Sequence, residues 1–490
     1  MSPSIIFISF LVYTALLFVI TWLTSRRATN RTFFIGNKTS PWFVVAYGMI
    51  GASLSGVTFM SVPGWVGATQ FSYMMVVVGY LFGYFVIATV LMPLYYKLNL
   101  TSIYSYLETR FGFWSYKTGA FYFLLSRTIG ASFRMFLVVN VLQVFVFDAW
   151  KVPFTVTVLI FIVLILLYTF KGGIKTIIWT DTVQTTFMLV SLVLSIFLII
   201  REMGTDFTTM FSTVINSSYS KMVFTDWHDK RFILKQLLSG AFIAIVMTGL
   251  DQEMMQKNLS CRSLRDAQKN MFSFSFSLLF ANFLFLFLGA ILYLFASFKG
   301  IEIPARTDNL FPMIAINHLG PLAGIVFLIG LISAAYPSAD GALTSLTTSF
   351  SIDFLGMNKK SEVPEKHKER IRYLVHFGFA VLLLTVIIIF RTINNQAVID
   401  KLFTIAGYTY GPLLGLFAFG MFTPYQVKDK WVPLVAILSP VLCYFISSNS
   451  MALLNGYKFG FELLIVNGII TFAGLLILKR PKWTTYDSKP

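Results

Sequence analysis

Apolar runs of about twenty residues recur along the whole chain, and no other feature limits its possible folds so strongly. A helix that spans a bilayer needs on the order of 20 mostly apolar residues. By this length rule the 490 residues hold about thirteen such runs. Their ranges are 4–24, 42–66, 72–96, 116–147, 152–170, 176–201, 233–252, 270–298, 319–352, 370–391, 398–421, 431–447 and 461–479, taken in order as segments one to thirteen. Open strands are excluded in lipid, because each unpaired backbone group there costs several kcal/mol. The alternating pattern of a membrane barrel is absent. Composition agrees, with 57% hydrophobic and 12% charged residues, against roughly 25% charged in a soluble globular protein. The sequence therefore predicts an all-α polytopic membrane protein.

The net charge of +17 raises a nucleic-acid reading, which its distribution removes. Lys and Arg gather in alternate short loops, after segments one (Arg26–Lys38), three (Lys97–Lys117), five (Lys171, Lys175), seven (Lys257–Lys269), nine (Lys359–Arg372), eleven (Lys428, Lys430) and thirteen (Lys479–Lys482). That alternation is a topology signal, not a binding stripe. It puts the N-terminus outside and the C-terminus in the cytoplasm of a multi-pass cytoplasmic-membrane protein. Cys261 falls in a basic loop and Cys443 in an apolar run, so no disulfide between them is expected. The first run is followed by "RRATNR" rather than a cleavage site. The longest outside loop, about 202–232, is polar and suits a short surface helix. There is no nucleotide fingerprint, metal-ligand cluster or soluble domain, so an enzyme is not expected.

Segment two, "PWFVVAYGMIGASLSGVTFMSVPGWVGA", puts Gly48, Gly51, Ser53, Ser55, Gly56 and Thr58 in its middle. Either the helix is broken there and lines a cavity, as transporters do at ion sites, or its small residues serve close helix packing. Segment seven carries Ser239-Gly240 and Thr248-Gly249 before Asp251. An inverted repeat opening with segments two and seven would interrupt both. Charges inside spans are costly and usually functional. Arg127 and Arg134 lie seven apart on one face of segment four, Asp181 lies a turn or two inside segment six, and Asp340 lies in segment nine. Either the arginines touch a ligand or an Arg–Asp pair forms a buried bridge. In "LISAAYPSADGALTSLTTSF" (331–350), Ala334, Ser338, Gly341 and Ser345 recur at helical spacing, which predicts a helix rather than a loop. Pro337 there cannot donate to the carbonyl of Ser333.

Five stretches, "TSIYSYLETRFG" (101–112), "YTFKGGIKTIIWTDTVQ" (168–184), "GLDQEMMQKNLSCRSLRDAQ" (249–268), "SAAYPSADGALTS" (333–345) and "GYTYGPLLGLFAFGMFT" (407–423), resemble the successive signatures of the sodium:solute symporter family. The resemblance implies the leucine-transporter architecture, a five-plus-five inverted repeat. One transporter domain over 1–480 would comprise an extra helix (4–24), a first repeat (41–201), a second repeat (233–421) and two C-terminal helices (430–480), with a short cytoplasmic tail at 481–490. It implies a sodium site where segment two meets segment nine, on carbonyls of Gly51, Leu54 and Ala334 and on positions 337 and 338. Family members usually carry hydroxyls at both of the last two; this chain has Pro337 and Ser338. Some members bind a further sodium at positions that are Asp181, Asp340 and Gly341 here.

The function expected from these residues and the resemblance is sodium-coupled symport of a small polar organic solute by alternating access, with sodium as coupling ion. The solute would lie beside the break against Ser53, Ser55 and Thr58, with Tyr80 and the Arg127 face opposite. Two arginines favour an anionic sugar acid or monocarboxylate, while Trp65, Phe59 and Tyr80 also suit a neutral sugar. Some members read sugar with an Asn where this chain has Asp251, which weakens a plain sugar assignment. Its partners would be the solute, sodium and lipid, not nucleic acid, with the monomer as functional unit. A proton could replace sodium by riding on Asp340 or Asp181. A sensor domain is disfavoured because only about ten residues follow segment thirteen by the span rule. A channel should lack paired helix breaks.

Overall fold

The computed structural model describes residues 3–25, 33–34, 38–357, 364–393 and 398–480. The predicted basic residues Arg26, Arg27, Arg31, Lys359, Lys360 and Lys482, and the 481–490 tail, lie outside them. Helix occupies each of the thirteen predicted stretches. Among the described residues eight helices are long and apolar enough to cross a membrane, or up to ten if each of two bent pairs is one span. Trp42–Ser53, Phe154–Leu167 and Leu463–Ile477 are apolar but shorter, so the count of thirteen is not reproduced by length alone. Neither cysteine is in a disulfide, and both are buried.

Interruptions position the site. Segment two consists of Trp42–Ser53 and Gly56–Thr69, parted at Leu54 and Ser55. Segment seven runs Ile233–Gly249, with a wide π-type turn at its end, then resumes as Gln252–Leu259 at an angle of 66°. Of the two Gly pairs flagged in it, Thr248-Gly249 marks the break. Gly240 does something else: a Cβ on it would lie 3.1 Å from the Cα of Gly79. Small residues thus let segments three and seven approach to backbone distance. Segment eleven is also bent, by 45° between Val398–Thr409 and Gly411–Phe422, at a Gly411-Pro412 pair that the segment count passes over. Segments five and six form one run, Phe154–Glu202, that turns at Gly173 (φ 57°). Glycine is required there by its φ and because a Cβ would come within 2.7 Å of the Phe33 ring.

The 331–350 stretch is helix, within Gly320–Ser349, and every residue from 330 to 349 is buried. Segment nine packs along segments six, four and two, and its Tyr336 meets Thr14 of segment one at 2.9 Å. The surface helix expected in the long loop is Phe207–Asn216. Asp206 caps it, accepting from the backbone of Thr208 and Thr209 at 2.9 and 3.1 Å, which satisfies two otherwise orphaned donors. Its Phe207 and Phe211 pack on Phe287.

The Gly79–Gly240 contact gives a direct test. Gly240→Val should push the two backbones apart at a cost of about 1–3 kcal/mol, read as a lower Tm of the purified protein. An unchanged Tm would mean that segments three and seven have slack there.

Candidate functional site

The break in segment two leaves carbonyls without helical partners. The half-helix closes with Leu54 N donating to Ile50 O at 2.8 Å, so the carbonyls of Gly51 onward fall among the unpaired ends of a helix. Gly51 is held from its other side, its N–H donating to Thr185 Oγ1 of segment six at 3.0 Å. Ala334 and Ser338, on the facing stretch of segment nine, are fully buried. The Ser338 hydroxyl has no hydrogen-bond partner, and a buried hydroxyl in that state needs an explanation. Freed carbonyls and an unengaged hydroxyl are the hard oxygen donors a small cation takes.

Beside the break lies a cavity of about 70 Å³, lined by Ser53, Leu54, Ser55, Thr58 and Tyr80, and also by Tyr73, Tyr84, Arg134, Thr248 and Asn282. Five of the residues assigned from sequence therefore share one wall system. Arg127 and Asp251 are not among the residues lining it. Arg127 is in ion-pair contact with Glu253, and its Nη1 lies 3.8 Å from Asp251 Oδ2. The bridge alternative raised for the arginines thus describes Arg127, although with partners the sequence did not name. Arg134, two turns further along the same face, does line the cavity. It is buried, and its Nε and Nη1 make no hydrogen bond.

A wider space of about 940 Å³ opens toward the face that carries the 202–232 loop, lined by residues including Trp65, Tyr73, Asp226, Lys230, Lys458 and Phe461. At its edge Arg231 chelates Asp229, with Nη2 to Oδ2 at 2.8 Å, and holds that carboxyl below the usual range. Four rings separate this vestibule from the small cavity. Trp65 stands 6.0 Å from both Tyr73 and Phe461, Phe403 stands 4.7 Å from Phe461, and Tyr73 stands 6.4 Å from Phe403.

The opposite face, which carries the basic loops, is filled by the second half of segment seven. All eight residues of Gln252–Leu259 are buried. The sequence counted Lys257 among loop charges, but it is 1% exposed. Its Nζ lies 2.7 Å from Asp181 Oδ2 and 3.3 Å from Glu253 Oε1. The carbonyls freed by the break, of Gly249 and Leu250, accept from the Tyr95 and Tyr104 hydroxyls at 2.9 and 2.8 Å. Asp251 caps the half-helix, accepting from Glu253 N at 2.9 Å and also from the Tyr410 hydroxyl at 3.0 Å. Gln252 ties it to the 98–105 loop through Ile103 N and Thr101 O. Asp340 Oδ1 accepts from Gly341 N at 2.6 Å. Sequence reasoning missed Asn282 in the cavity wall and, on the closed face, Lys257 and Glu253. The four-residue spacing of the latter two, which puts opposite charges on one helix face, was the available signal.

Two broken helices that meet a small cavity with polar groups among apolar ones, a half-helix filling one face and a vestibule beyond a layer of rings on the other, are the architecture of a secondary transporter. Comparison with known proteins makes the class specific. The family model for the sodium:solute symporter family matches residues 33–427, and the chain belongs to that family. It is a transporter and not an enzyme, with sodium as its coupling ion. The chain is 23% identical over 419 residues to the sodium/sialic acid symporter SiaT of Proteus mirabilis, covering 83% of this chain and 82% of that protein. It is 25% identical over 420 residues to the human sodium-coupled monocarboxylate transporter 1, covering 81% of this chain and 65% of that one. A solved substrate-bound, outward-open Na+-coupled sialic acid symporter superposes with a TM-score of 0.82 at 20% identity, covering 96% of this chain and 97% of its own. That likeness shows the leucine-transporter-like fold.

Arg127 provides the test of this site. Removing one partner of a buried ion cluster leaves charge uncompensated at a cost of roughly 3–5 kcal/mol. Arg127→Gln should therefore lower the Tm sharply even without solute present. A variant as stable as the parent would show that Glu253 and Asp251 do not need the guanidinium.

Proposed function

We propose that this chain couples inward sodium flow to the uptake of a small anionic solute, a sugar acid or a monocarboxylate. The observation that carries the reading is Arg134. A guanidinium with buried donors that bond nothing in the chain, on the wall of a cavity that also carries Ser53, Ser55 and Thr58, is a poised receptor for a carboxylate, which its planar fork can grip bidentately. Asn282 supports it with a buried Oδ1 that lacks a donor, suited to a solute hydroxyl. Ser53, Ser55, Thr58 and Tyr80 complete the solute wall, while Arg127 and Asp251 hold the closed face from beneath. Relatives include sialic acid and monocarboxylate carriers, in agreement with an anionic solute.

Sodium would sit on the carbonyls of Gly51, Leu54 and Ala334 and on the Ser338 hydroxyl, pinning segment two against segment nine. Pro337 removes one family hydroxyl and frees the Ser333 carbonyl in exchange. The basic loops set the orientation: the vestibule faces outside, the N-terminus lies outside, and the Gln252–Leu259 half-helix seals the cytoplasmic face of the inner membrane. The repeats run 41–201 and 233–421, and one chain holds a complete pathway, so the monomer is the functional unit.

Two measurements test this. Uptake of an anionic solute into proteoliposomes should require an inward sodium gradient; equal uptake with choline replacing sodium at fixed pH sinks the sodium claim, and Ser338→Ala should raise the sodium needed for half-maximal uptake. Arg134→Gln should weaken anion binding about 10- to 100-fold, the worth of one charged hydrogen-bonded contact. Because those donors bond nothing internally, the variant should fold normally. Unaltered binding would remove Arg134 from the solute site.

A further inference from the structure

The family resemblance implies a further sodium position on Asp181, Asp340 and Gly341, and the described residues do not fit a sodium there. Asp181 is fully buried; its Oδ2 already holds the Lys257 ammonium at 2.7 Å, which leaves Oδ1 alone without a partner, one oxygen where a sodium takes several. Gly341 offers no side-chain oxygen and no space for one. A Cβ on it would lie 2.6 Å from Glu253 Cδ and 3.1 Å from Glu253 Oε2, so the carboxylate of segment seven fills the place a hydroxyl would need. Glu253 in turn reaches Lys257 at 3.3 Å and contacts Arg127. Asp340 turns Oδ1 back onto its neighbour's N–H at 2.6 Å.

We propose that the Lys257 ammonium is the permanent occupant of this second cation position, and that the carrier therefore moves one sodium per solute. Ammonium and sodium are both compact monovalent cations that satisfy carboxylate oxygens, and lysine brings three donors on a flexible stem. The distance to Asp181 is that of a strong charge-assisted bond. Both Lys257 and Asp181 are 1% exposed or less, where an uncompensated carboxylate is not tolerated. Lys257 is tethered to the half-helix Gln252–Leu259, so it neutralises Asp181 without ever crossing the membrane as cargo. Coupling then rests on the single site at Gly51, Leu54, Ala334 and Ser338. A monoanion moving with one sodium carries no net charge, so membrane potential would not drive its accumulation.

The proposal rests on the sodium reading above, and the test separates the two. Purified protein in lipid nanodiscs is titrated with radioactive sodium, and bound sodium is counted per chain at saturation. The wild type should bind one. Lys257→Met, which clears the ammonium from Asp181, should bind two. A wild-type count of two overturns the tethered cation and leaves sodium coupling intact; a count of zero overturns both. A folded Lys257→Met protein that still binds one overturns Lys257 as the occupant. Should that variant not fold, the sodium-to-solute flux ratio of the wild type in proteoliposomes decides: a ratio of one supports the proposal and a ratio of two ends it.

Discussion

A carboxylate held away from water must be met by a cation and by donors, and in this protein that constraint gathers around Glu253. Its two oxygens reach Arg127 of segment four and Lys257 of its own half-helix. Lys257 passes the link to Asp181 of segment six, and Gly341 of segment nine is bare so that the carboxylate fits. Four segments thus meet through two side chains of one half-helix, Glu253 and Lys257. Isolated buried pairs rarely add net stability. Their use here is geometric: the cluster fixes where the second half of segment seven lies, and that half-helix is what fills one face of the bundle.

The fold was legible because its strongest determinants are local. Length and apolarity locate the helices, and the small residues from Gly48 to Thr58 announce the gap at Leu54–Ser55. Segment seven was only half legible. Thr248-Gly249 marks its break, but Gly240 looks the same in sequence and serves packing against Gly79 instead. The bend at Tyr410 in segment eleven falls at Gly411-Pro412, a breaker pair that a count by length and apolarity passes over. Topology reasoning also misled in one place. Lys257 has the sequence context of a loop lysine, since the chain only reveals that residues 252–259 turn back into protein once the angle at Leu250 is known.

For the site, sequence assigned Ser53, Ser55, Thr58 and Tyr80 to one solute wall, and all four line one cavity. It could not divide labour between Arg127 and Arg134, which share residue type and helix face. What distinguishes them is the partner brought in from segment seven, a contact more than a hundred residues away in the chain. Long-range pairing of this kind leaves no periodic trace. Hydroxyls are subject to the same limit: Ser338 and Ser333 are alike in sequence, yet one is unengaged and the other donates to Ile329 O at 2.6 Å.

Between vestibule and cavity stand the rings of Trp65, Tyr73, Phe403 and Phe461, with Tyr73 on the wall of both. The barrier on the other face is a whole half-helix locked by ions and hydrogen bonds. Clearing the rings is a matter of side-chain rotation, slower than the nanoseconds of an exposed residue because Tyr73 and Phe403 are buried and Tyr73 bonds Tyr80 at 3.1 Å. Opening the other face means moving backbone against a charged cluster, on the microsecond-to-millisecond scale of collective motion. The two sides of the cavity thus differ in kind: one closes by side chains that can turn in place, the other by backbone that must be carried away whole.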